Sequence, residues 1–147
     1  MLELQRVGFT PQGVDVVFNS RALADCKVMG ALETIDEQIA FLVMMGEGSE
    51  SEFINMSLED LKRTSDSMDK MIDAWRTGDS KALRTFLIDG MRERAPRLYE
   101  SLLRQRNLRW ISQIELMFDD PETEFVLVGA AHLVGEDGVV GHLRAKG

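Results

Sequence analysis

Apolar positions along most of the chain recur every three or four residues, which is the helical interval. Gly13 precedes Val14, Val17, Phe18, Arg21 and Ala22 at that spacing, predicting a helix that ends around Asp25 to Lys27. Thr34-Ile35-Asp36-Glu37 has the form of a capping box and opens a second helix with Ile35, Ile39, Leu42 and Val43 facing inward. Gly46 to Asn55 is polar, with acidic residues at 47, 50 and 52, and reads as a solvated connecting loop. Ser57 is then placed to cap a helix carrying Leu58, Leu61, Met68, Met71, Ile72 and Trp75, with Gly78 marking its end. A further helix carries Leu83, Phe86, Leu87 and Met91, and Pro96 breaks or kinks it near Ala95. Beyond Pro96, the stripe Tyr99, Leu103, Arg106, Trp110, Ile114 and Met117 predicts one long buried face.

Two segments break the helical period. Val28-Met29-Gly30-Ala31-Leu32 reads as a short strand, and Phe125-Val126-Leu127-Val128 as a strand covered on both faces. Residues 1–9, with Leu2, Leu4 and Val7 alternating, supply a third candidate. The expected fold class is therefore α/β, predominantly helical, with a small, partly parallel sheet and a helical lobe at about residues 57–118. Two short strands make a poor sheet, which points to an incomplete domain completed by a homodimer or a swapped assembly.

A length of 147 residues fits one domain with a core of its own. The net charge is −8 and the basic residues are scattered, so there is no basic stripe of the kind nucleic acid requires. No apolar run approaches a membrane span, and the first residues lack the layout of a secretion signal. The lone Cys26 excludes an internal disulfide and any multi-cysteine zinc site, but leaves the compartment open.

Candidate chemistry gathers at the strand ends. His132 follows Gly129-Ala130-Ala131 just past the second apolar run, where α/β proteins place functional groups. Its plain alternative is a loop histidine with a hydrogen-bonded ring. Glu33 lies between the first predicted strand and a helix N-terminus that favours its ionised form. Arg106 stands in the middle of the buried stripe and needs a carboxylate, a carbonyl cluster or an anion, unless its head snorkels to water. Asn107 flanks it, and together they form a candidate positioning pair. In the loop Gly135-Glu136-Asp137-Gly138, Asp137 reads as the N-cap of the last helix, within which His142 faces solvent. No serine stands in a nucleophile-elbow context, and the methionines of the long helix read as core filler.

Several of these blocks resemble the TraB/PrgY/GumN proteins, a family related to the Tiki proteases and to the erythromycin-esterase and ChaN-like group. The blocks are Gly13-Val14-Asp15 through Phe18 and Ala22; Leu32-Glu33-Thr34 with Glu37-Gln38; Arg106-Asn107 with Trp110 and Ile114; and Gly129-Ala130-Ala131-His132-Leu133 with Gly135-Glu136-Asp137-Gly138 and Leu143. The resemblance implies a bacterial α/β sandwich with a site shared between two halves, and a GxxH motif supporting metal-dependent hydrolysis. The family's first GxxH has no counterpart here, because His132 alone stands in such a motif. Residues 1–147 accordingly look like the C-terminal portion of a longer domain of cell-envelope or periplasmic type.

The resulting functional expectation is half of a metal-dependent hydrolase acting on a peptide or ester bond. In it, Glu33, Arg106 and His132 are catalytic, His132 and Glu33 ligate a divalent zinc, manganese or cobalt ion, and Asn107 and Gly129 support them. The alternative is a non-catalytic interaction module in which Glu33 and Arg106 form a structural ion pair.

Overall fold

The computed structural model describes residues 12–46, 50–119 and 121–147. The strand expected in residues 1–9 lies outside the described residues. The chain falls into two compact units, Met1–Leu32 and Glu33–Gly147.

In the first unit, α1 spans Val14–Ala24. It ends where expected: Asp25 N donates to Arg21 O, Lys27 N donates to Ala22 O, and Cys26 takes the left-handed φ of 51° that usually favours glycine at a helix end. None of its residues is buried, and Val14, Val16, Val17, Phe18 and Leu23 are all exposed. The segment after it is not a strand, and Val28 is 97% exposed.

The second unit opens with the predicted capping box. Thr34 N donates to Glu37 Oε2 at 2.7 Å, and Glu37 N donates back to Thr34 Oγ1 at 3.2 Å. The same contacts hold the Glu37 carboxyl below the usual carboxylate range. Helix α2 runs Ile35–Gly46, but Ile35, Ile39 and Val43 are exposed, whereas Phe41 is buried. Residues 47–49 lie outside the described residues; the rest of the predicted loop, from Glu50, is already helical. α3 spans Glu50–Thr77, so Ser57 lies within the helix and not at its start. Gly78, at φ +72°, stops it as expected.

Asp79 Oδ1 accepts from Ala82 N at 2.9 Å and starts α4, Ser80–Arg84. A π-turn over Thr85–Asp89 leads into α5, Gly90–Arg94. Ala95 leaves the helical conformation, and Pro96 occupies the first turn of α6, Pro96–Tyr99, where its missing N–H is no loss. A second π-turn, Glu100–Arg104, joins α6 to α7, Gln105–Met117. The short α8, Val139–Lys146, closes the chain. The core joins Ala74, Leu83, Ile88, Tyr99, Leu103 and Val134, with Met71, Leu87 and Met91 packed against it, so the methionines fill space as expected.

Among the described residues the expected sheet is absent, and no strand occurs there. Phe125 is 68% exposed and Leu127 38%, where a strand covered on both faces required burial. An apolar run becomes a strand only where another backbone accepts its hydrogen bonds. No strand forms along Phe125–Val128, and the described residues are helical rather than α/β.

Candidate functional site

Three parts of the second unit build the site: the face of α7 that carries Arg106, Asn107 and Trp110, the loop from Gly129 to Gly138, and Glu33 with Phe41 of α2. Gly129 begins a single 3-10 turn, Ala130–His132, in which His132 N donates to Gly129 O at 2.9 Å. The φ of −60° at Gly129 is open to any residue, and a Cβ there would stand at ordinary contact distance from the His132 ring, 3.8 Å. Its part is thus the backbone carbonyl that starts the turn. The turn tucks His132 against α7, leaving it 8% exposed.

His132 Nδ1 lies 2.7 Å from Asn107 Oδ1. Asn107 is 1% exposed, and its Nδ2 donates to the backbone carbonyl of Asp137 at 2.6 Å. The His132 ring also packs on the indole of Trp110, with centroids 4.5 Å apart and planes tilted by 44°. Burial first, and the Arg106 guanidinium second, push the His132 pKa down to about 4, against an opposing pull from Glu33. The ring is therefore neutral at neutral pH. Its Nε2 has no partner among the described residues.

Arg106 emerges on the neighbouring register of α7. Its Nε and a terminal nitrogen each donate to a different oxygen of Glu33 at 2.8 Å, and its other terminal nitrogen donates to Leu102 O at 3.2 Å. The Glu33 side chain is only 5% exposed, so this two-point ion pair is largely withdrawn from water. The guanidinium lies over the rings of Phe41, at 5.2 Å, and Trp110, at 5.1 Å, while Arg109 covers Phe41 at 4.7 Å. Trp110 thus touches both the Arg106 guanidinium and the imidazole, which brings His132, Arg106 and its partner Glu33 into one neighbourhood.

Asp137 is not the N-cap the sequence suggests. Gly138 occupies that position, and the Asp137 carboxylate accepts from the Tyr99 hydroxyl at 2.6 Å and from Arg104 Nε at 3.3 Å. Burial and this hydrogen bond raise the Tyr99 pKa to about 12. Arg104 also binds Glu100 at 2.8 Å. Side chain and carbonyl together pin the loop to the helix, a link that sequence reading missed. The signal was available, since a tyrosine on a buried stripe needs a partner for its hydroxyl. His142 departs from expectation as well: it is half-buried, and its Nε2 is buried without a partner.

A divalent ion would find little to hold it here. Neutral imidazole suits such a metal, but both oxygens of Glu33 are bound to Arg106. Among the described residues no group of three or more His, Cys, Asp or Glu side chains is placed to hold a metal ion. One histidine is not a metal site, so the expected pairing of His132 with Glu33 as ligands does not fit this geometry.

These features define a helical protein with a buried neutral histidine set beside a shielded ion pair. The chain belongs to the TraB/PrgY/gumN family, whose model matches residues 1–147. No curated protein and no solved structure matches it. Among the described residues no helix is long and apolar enough to cross a membrane.

Proposed function

We propose that this chain contributes the histidine side of a hydrolytic centre acting on a peptide or ester bond, with His132 as its electron-pair donor. The observation that carries the reading is the His132 ring: buried, anchored to Asn107 at Nδ1 and, among the described residues, without a partner at Nε2. Its depressed pKa suits a ligand more than a proton-taking base, because a general base works best near the ambient pH. Glu33 and Arg106 then shape the electrostatics beside the ring instead of ligating. The remaining ligands of any zinc, manganese or cobalt ion come from outside the described residues, and the source we propose is a second copy of the chain. The exposed run Phe125, Val126 and Leu127, a few residues before His132, offers that copy apolar surface beside the site.

A second reading is favoured by the two-point Glu33–Arg106 pair, which leaves neither oxygen of the carboxylate free. In it the chain is an interaction module with a structural ion pair. Calorimetric titration with zinc, manganese and cobalt, with a light-scattering mass and a His132→Ala control, separates the two. Saturable binding by a dimer, lost in His132→Ala, supports the hydrolytic centre and justifies a screen of peptide and ester substrates. No binding by the unaltered chain overturns it in favour of the module.

A further inference from the structure

The bonding of Asn107 bears on which nitrogen His132 offers. Asn107 sits between two fixed partners, and a carboxamide has one face that donates and one that accepts. The carbonyl oxygen of Asp137, 2.6 Å away, accepts only, so the Asn107 NH2 must face it. The reversed amide would press two acceptor oxygens together at that distance. Asn107 Oδ1 is thereby turned to His132 Nδ1 at 2.7 Å, and an oxygen acceptor can be met there only by a protonated nitrogen. We propose that Asn107 is a positioning residue that commits His132 to the Nδ1–H tautomer, leaving Nε2 as its sole lone-pair nitrogen. A histidine side chain free in water prefers the opposite arrangement, with the proton on Nε2, so the preference is imposed by the fold.

The anchor is itself held. Asp137 presents its carbonyl to Asn107 because Tyr99 and Arg104 grip its carboxylate. Tyr99 and Asn107 both donate to Asp137, the one to its carboxylate and the other to its carbonyl, and His132 donates to Asn107, so every donor along the set meets an acceptor. Histidines that ligate metals commonly have their other ring nitrogen fixed by such a partner. The tautomer assignment stands on hydrogen-bond geometry alone, whereas its use in ligation rests on the hydrolytic reading above.

Long-range proton–nitrogen correlation spectra of the full chain, labelled at histidine with nitrogen-15, test it. For His132 the expected pattern is a protonated Nδ1 and an unprotonated Nε2 at neutral pH. Asn107→Leu removes the acceptor and should shift His132 towards Nε2–H. A wild-type ring protonated at Nε2 overturns the proposal, and so does an Asn107→Leu ring that stays Nδ1–H. Should the leucine variant not fold, the wild-type spectrum alone decides, with Nε2–H there overturning the proposal. Zinc added to the same samples should move the His132 Nε2 signal, with affinity about 10- to 100-fold weaker in the leucine variant. Zinc that leaves wild-type His132 unmoved sinks the ligation reading and leaves the tautomer result standing.

Discussion

Individual side chains here are over-determined by partners far away in sequence, and that is where substitutions should hurt most. Asn107, at 1% exposure, satisfies the Asp137 carbonyl and the His132 ring at once. Asn107→Leu strands two buried polar groups, and urea unfolding should show a loss of roughly 2–4 kcal/mol. Tyr99→Phe deletes one hydroxyl and leaves Asp137 its Arg104 partner, so about 1 kcal/mol is expected in the same measurement. Arg106→Met leaves the Glu33 carboxylate unpaired at 5% exposure, with an expected loss of roughly 3 kcal/mol. Adding Glu33→Gln should recover most of that loss, since it is the uncompensated charge that destabilises. A double variant no more stable than Arg106→Met would show that the guanidinium serves through packing on Phe41 and Trp110 instead. Sequence pattern marked Arg106 as needing a partner because a cation on an apolar stripe is a local anomaly. It did not mark Asp137, whose partners stand some thirty positions away.

Elements were legible in proportion to how local their causes are. The capping box at Thr34 and Glu37, the stop at Gly78 and the break at Ala95 before Pro96 are each fixed within a few residues, and each appears where the pattern places it. Both π-turns escaped notice, because one extra residue in a helical turn leaves no mark in composition. The expected strands failed for the opposite reason: Phe125–Val128 has strand composition, but strand structure needs a second backbone, and the run alone cannot say whether one is present. The turn into α8 gives the sharpest test at this scale. A Cβ at Gly138 would stand 2.6 Å from Val134 O, and one at Gly141 would stand 2.6 Å from Gly135 O, both backbone atoms with little room to yield. Gly138→Ala and Gly141→Ala should each cost roughly 2 kcal/mol or more, read as a lowered Tm. Gly129→Ala serves as the control, since its Cβ meets only ordinary contact, and a comparable loss there would mean the His132 turn is tighter than its backbone angles indicate.

At the scale of the whole molecule, the buried neutral ring should govern how stability responds to mild acid. In the unfolded chain His132 titrates near its ordinary value of 6.5, whereas in the fold burial and Arg106 lower it to about 4. Above 6.5 both states are neutral and this contribution to stability is fully present. As pH falls from 6.5 towards 4, the unfolded chain takes up a proton that the folded chain refuses, so stability declines. Below about 4 both states are protonated and His132 subtracts nothing further. The span corresponds to an upper limit of roughly 3 kcal/mol. Carboxylates also titrate towards the acid end, and with a net charge of −8 there are many of them, so the wild-type slope alone is not diagnostic. The difference between wild type and His132→Gln isolates the histidine, because glutamine has no proton to take up in this range. Urea midpoints measured from pH 7.5 to 5 should fall more steeply for wild type than for His132→Gln. Arg106→Met should lie between them, since removing the guanidinium takes away the second cause of the depression and leaves burial, the larger one, in place. Parallel curves for all three proteins would mean that His132 accepts its proton in the fold as readily as in water. A ring that does so cannot be held behind Trp110 as the structure has it, and the neutral donor on which the hydrolytic reading rests would be lost with it.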